Sequence, residues 1–176
     1  MKRAQQLDPL SLPISVDMNA PFYVMRQYDQ SIAQSRKVIE MEPNFYLAHY
    51  TVGWASALKG DFDQAIVELR EARALEDGPF VVGSLGYAYA ASGRRGEAQK
   101  ILKELKEQAR QRHVTPYWIA MIYVGLGEKD EAFAWFERAY EERSFQLLWF
   151  KTDPSLDTLR SDPRFTGLLR RIGFPP

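Results

Sequence analysis

The chain has 176 residues, 45% of them hydrophobic and 13% aromatic, which supplies enough apolar surface for a continuous core and excludes a disordered chain. Lysines plus arginines and aspartates plus glutamates each number 23, so no global field favours nucleic acid, an anionic membrane or an acidic ligand. There is no cysteine, which excludes disulfides and thiolate metal sites, and there is neither a signal-peptide pattern nor an apolar run long enough to span a membrane; the expected location is cytoplasmic.

The first segment, 1–9, closes on Leu7-Asp8-Pro9. A similar ending, Met41-Glu42-Pro43, follows 34 residues later, and Asp77 stands a further 34 on. Residues 1–9 therefore predict the last turns of a second helix whose first helix is missing, and the chain is expected to begin in the middle of a repeat. The unit 12–45 comes next. Pro21 conflicts with a regular helix interior, where it costs about 3 kcal/mol, so the first helix of this unit is expected to bend or to start late, with Asn19 as its N-cap and Pro21 in the first turn.

The unit 46–78 has the clearest pattern. Phe62, Ala65, Ile66, Leu69, Ala72 and Leu75 recur at spacings of three and four, one stripe of a helix, and Gly60 stands just before it as a helix stop. Its hexad Gly60-Asp61-Phe62-Asp63-Gln64-Ala65 returns as Gly93-Arg94-Arg95-Gly96-Glu97-Ala98 in the unit 79–112 and as Gly127-Glu128-Lys129-Asp130-Glu131-Ala132 in the unit 113–144. The glycines lie 33 and 34 residues apart, the signature of a helical array. Gly53, Gly86 and Ala120 also share one place in their units, where a small residue lets two helices approach. With no sustained strand alternation, an all-α solenoid of antiparallel helix pairs is predicted.

After Ser144 the pattern changes. Asp153-Pro154 and Asp162-Pro163 each read as an N-cap followed by proline at the first helical position. Phe165, Leu168, Leu169 and Ile172 then form one helical stripe that stops at Gly173, with Arg164, Arg170 and Arg171 on the other face. Residues 145–174 are expected to cap the open end of the array with a polar outer surface.

In these positions the chain resembles tetratricopeptide repeats, whose pattern has a small residue at position 8, Gly at 15, an aromatic at 17, Ala at 20 and 27 and Pro at 32. Val52, Gly53, Gly60, Phe62, Ala65, Leu69 and Ala72 match in the unit 46–78. In 12–45 Tyr28, Val38 and Pro43 fit, while Arg26 replaces the turn glycine and Ser31 the alanine. In 79–112 Gly86, Gly93 and Ala98 fit, while Arg95 replaces the aromatic and Arg110 the proline. The unit 113–144 keeps Gly127, Ala132 and Ala139. The resemblance implies one domain over 1–176, a right-handed superhelical solenoid with a C-terminal capping helix. The ending, Lys151-Thr152-Asp153-Pro154 through Ser161-Asp162-Pro163-Arg164-Phe165, is also similar to the repeat regions of bacterial multidomain regulators.

The resemblance further implies a concave groove lined by the first helix of each pair. Its lining positions here are Leu47, Tyr50, Trp54 and Leu58, then Phe80 and Tyr87, then Tyr117 and Met121. Trp54, Tyr87 and Met121 share one position in successive units, which favours a continuous strip, the alternative for each such side chain being burial as core between the helices. The lysine, asparagine and arginine set with which family members hold a peptide carboxylate is missing. An aromatic, apolar groove suits a helix or an extended peptide of a partner protein, and self-association into a homo-oligomer is the alternative.

Catalytic readings fare poorly. His49 falls at a packing position and His113 at a junction, so neither a metal set nor a catalytic triad is expected, and no glycine-rich phosphate loop or cofactor motif occurs. Glu68, Glu71, Glu104 and Glu107 are expected on solvated helix faces. Lys100, Lys103, Lys106, Arg110 and Arg112 form a basic run interrupted by Glu104 and Glu107, which a solvated outer face explains without nucleic acid.

Overall fold

In the computed structural model residues 20–111 and 114–174 are described, and they fall into two compact units divided between Val81 and Val82. The first holds α1 (Ala20–Val24), α2 (Tyr28–Met41), α3 (Tyr46–Lys59) and α4 (Phe62–Leu75), and the division falls within α5 (Pro79–Ala91). The second continues with α6 (Arg95–Gln111), α7 (Pro116–Leu126), α8 (Lys129–Glu141), two 3-10 helices (Phe145–Trp149 and Pro154–Leu159) and α9 (Pro163–Ile172). No strand occurs among the described residues, and the fold is an all-α helical repeat. The expected partial repeat at 1–9, the cap at Asn19 and His113 lie outside the described residues. Pro21 does lie in the first turn of the described part of α1.

Tight turns dictate the helix pairing. After α3 only Gly60 and Asp61 intervene before α4, so the two helices run antiparallel. Gly60 adopts a φ of 91°, its N–H donates to the Ala57 carbonyl, and the Asp61 N–H donates to the Ser56 carbonyl at 2.9 Å, which satisfies the orphan acceptors of the helix end. Asp61 then caps α4, its carboxylate accepting from the Gln64 N–H at 3.2 Å. The two helices pack together, with Ala48 and Val52 of α3 and the stripe Ala65, Ile66, Leu69 and Ala72 of α4 all buried. A Cβ on Gly53 would stand 2.7 Å from the Leu69 Cγ and 3.0 Å from the Leu69 backbone nitrogen, so the close approach expected from this position is real.

Gly93 and Gly127 turn their chains in the same way, with φ of 80° and 73°. In the corresponding turn between α1 and α2 stands Arg26, forced to a φ of 59°. A side chain in this left-handed region costs about 1–2 kcal/mol. We expect Arg26→Gly to raise stability by about 0.5–1 kcal/mol in urea unfolding, the relief being partly offset by the added freedom of glycine in the unfolded chain. A loss of stability would show that the Arg26 side chain contributes more than its backbone strain costs.

The C-terminal segment continues the 34-residue register in an altered form. Arg164 of α9 donates to Asp130 of α8 at 2.8 Å, and Arg171 donates to Glu137 at 2.6 Å, each pair 34 residues apart. Thus α9 takes the place of the second helix of a further unit, and the two 3-10 helices stand where its first helix would be. Asp162 caps α9 as expected, accepting from the Arg164 N–H at 3.0 Å. The Arg164 guanidinium beside it, reinforced by that backbone N–H, holds the Asp162 carboxyl down at about 2. Beneath lies an aromatic core in which Phe150, fully buried, meets the Phe136 ring edge-on at 5.0 Å and stacks on Phe165 at 4.7 Å.

Candidate interaction surface

Helix α3 is apolar nearly all round, and that pattern divides into two roles. Ala48, Val52, Gly53, Ala55, Ser56 and Ala57 are buried, whereas Leu47, Tyr50 and Leu58 remain half-buried along one stripe. Trp54 lies in the same stripe but is only 8% exposed. At the start of α5, Phe80 is half-buried and completes an aromatic cluster within the first unit. Its ring meets Tyr50 edge-on at 5.0 Å and lies 6.2 Å from Tyr46, which in turn lies 6.4 Å from Phe45. Edge-to-face pairs of this kind fix ring orientation and so preorganise a surface of aromatic faces.

In the second unit two expected contact residues are withdrawn from solvent. Met121 is fully buried and Tyr117 is 3% exposed. The Tyr117 hydroxyl donates to Asp153 at 3.0 Å, and its ring packs on Trp118 and Phe136. The buried Asp153 carboxylate also accepts from the backbone N–H and hydroxyl of Ser155, at 2.9 and 2.5 Å. A buried carboxylate needs such partners, and Tyr117 is one of them. Tyr87 stays half-buried, so of the aligned trio Trp54, Tyr87 and Met121 it alone retains appreciable exposure.

Two charged side chains differ from expectation. Glu68 is not on a solvated face: it is only 16% exposed and pairs with the His49 Nδ1 at 2.8 Å, because α3 and α4 pack closely enough to bring them together. The other ring nitrogen of His49 meets the Pro43 carbonyl at 2.8 Å, so the imidazole ties α3 to α4 and to the preceding turn. Lys106 is half-buried in α6, its ammonium donating to the Tyr123 hydroxyl at 2.8 Å. The signal lay in its spacing from buried Leu102, four residues earlier, which turns Lys106 toward the neighbouring helix. No group of three or more potential metal ligands occurs among the described residues, and no helix there is long and apolar enough to cross a membrane.

A family model described as tetratricopeptide repeat matches residues 117–144, the segment that folds as α7, the Gly127 turn and α8. The same helix, glycine turn and helix recur in α3–α4 and α5–α6. Residues 117–144 are thus similar to a tetratricopeptide repeat, within a chain that folds as an all-α helical repeat. No curated protein matches it. Tetratricopeptide repeats generally mediate protein–protein interactions, and their helical scaffold is typically not enzymatic.

Proposed function

We propose that this helical repeat protein is a non-catalytic interaction module that binds a helix or extended peptide of a partner protein, with the half-buried stripe Leu47, Tyr50 and Leu58 and the adjoining Phe80 as its principal contacts. The observation that carries this reading is the preorganised, half-buried aromatic cluster of Tyr46, Tyr50 and Phe80, since large rigid rings are common energetic anchors of interfaces. The similarity of the C-terminal ending to bacterial regulators supports a place in a larger regulatory or signalling protein.

Affinity enrichment followed by calorimetry on each retained protein tests the reading. Tyr50→Ala should weaken binding by about thirtyfold, the effect of an interface anchor worth about 2 kcal/mol, while Glu71→Ala on the exposed face of α4 leaves it unchanged. Equal affinity in a folded Tyr50→Ala variant contradicts the assignment. Trp54→Ala is a poorer probe, because emptying so buried a site also costs about 3–5 kcal/mol of stability.

Self-association is the second reading, favoured by the first 3-10 helix, where Phe145, Leu148 and Trp149 are 70, 66 and 49% exposed. Light scattering over a range of concentrations should then show a mass that rises with concentration and falls back in Leu148→Ser. A monomer throughout removes this reading.

A further inference from the structure

The second unit holds a cleft of about 440 Å³ beside α6 and the α7–α8 turn. Lys103, Lys106 and Arg110 line one side of it, with Leu102, Tyr123 and Leu126 supplying apolar surface. The helical spacing of 103, 106 and 110 stacks the three cations along one face. Their charge is unevenly compensated. Glu107 lies 3.6 Å from Arg110, and Glu128 pairs with Arg95. Among the described residues no carboxylate pairs with Lys103 or Lys106.

Lys106 is the decisive residue. Its ammonium is partly removed from water and has only neutral partners: the Tyr123 hydroxyl, and the Tyr123 and Trp135 rings at 5.2 and 5.3 Å from their centroids. A charge so placed has lost hydration without gaining an opposite charge. An incoming carboxylate would supply a charge-assisted hydrogen bond about twice as strong as a neutral one, in a setting less screened than open surface. The apolar side of the cleft requires more of the ligand than a negative charge. Glu107 and Glu128 on the lining disfavour a continuous phosphate backbone.

We propose that this cleft is a binding site for an acidic peptide segment of a partner protein, its carboxylates meeting Lys103 and Lys106 and its apolar side chains lying on Tyr123 and Leu126. The site uses none of the α3 stripe and does not rest on that assignment. It is formed by the second helix of one pair with the end of the next first helix and its turn, and it uses none of the first-helix positions expected to line a groove.

The test uses the full chain and two fluorescently labelled peptides, one alternating aspartate with leucine and the other with asparagine in place of each aspartate. Anisotropy should report binding of the aspartate peptide alone, weakening as salt rises. Lys103→Gln and Lys106→Met should each raise the dissociation constant about tenfold, a typical loss for one charged contact, whereas Tyr50→Ala should not change it. Lys103 is exposed, so its variant folds irrespective of how Lys106→Met packs. The proposal is overturned if the aspartate peptide does not bind, if the asparagine peptide binds equally, or if both lysine variants bind as the parent does. Displacement of the peptide by inorganic phosphate, at concentrations where glutamate does not displace it, would also overturn it in favour of a simple anion hole.

Discussion

Truncation of Phe150 to alanine should lower the stability of the C-terminal unit by about 3–5 kcal/mol, the range for removing a buried aromatic ring. Phe150 is fully buried and sits between Phe136 and Phe165, at 5.0 and 4.7 Å, so it joins α8 to α9 through the segment that links them. Neither neighbour can fill the space by a rotamer change alone, because Phe136 is also fully buried and already packs on Tyr117 at 5.6 Å. Phe145, five residues earlier and 70% exposed, provides the contrast: Phe145→Ala should fall within about 0.5 kcal/mol of the parent. Urea unfolding of both variants measures the difference. Similar values for the two would show that the cap core is not packed as described.

The second large effect concerns sign as well as size. Replacing a glycine inside a helix by alanine ordinarily gains about 1 kcal/mol. Gly53→Ala should instead lose about 1–3 kcal/mol, the cost of forcing extra volume into a filled contact. The added Cβ would stand 3.0 Å from the Leu69 backbone nitrogen and 3.1 Å from the Ala65 carbonyl oxygen, and backbone cannot swing aside as a flexible side chain can. Only separation of α3 from α4 makes room. Gly96 in α6 supplies the internal comparison, because a Cβ there meets nothing within 4 Å. Gly96→Ala, in the first turn of α6, should therefore not destabilise, and matching losses at the two positions would contradict the close approach of α3 and α4.

The helix pairs were the most legible part of the fold because their punctuation is local. A glycine needed for positive φ at 60, 93 and 127, followed by a stripe such as Phe62, Ala65, Ile66 and Leu69, is visible without knowing what the helices pack against. The proline-marked caps at Asp153 and Asp162 were legible for the same reason. That Pro154 opens a 3-10 helix was not, since that outcome depends on Tyr117 and Arg160 gripping Asp153 and its neighbours. Arg160 donates to the carbonyls of Lys151 and Asp153, at 2.8 and 3.1 Å.

The candidate surface was legible only in part. Repeat register placed Leu47, Tyr50 and Leu58 on one stripe of α3, but it treats every unit alike. The last unit is different because Tyr117 and Met121 are buried there, Tyr117 with its hydroxyl on Asp153 of the C-terminal segment. Nor can register show when a charged residue is drawn inward. Glu68 meets His49 across the helix pair, and Lys106 finds Tyr123 and Trp135, both through contacts distant in sequence. Such pairs follow from packing between helices, not from spacing within one.

Site-specific photo-cross-linking in cells of the organism that encodes the protein tests the interaction assignment most directly. With p-benzoylphenylalanine in place of Tyr50 or Leu47, irradiation should yield one discrete adduct with a partner protein, and the same group in place of Glu71 should yield none. Adducts of equal yield at all three positions, or no adduct from positions 47 and 50 in folded protein, would contradict an interaction surface on α3.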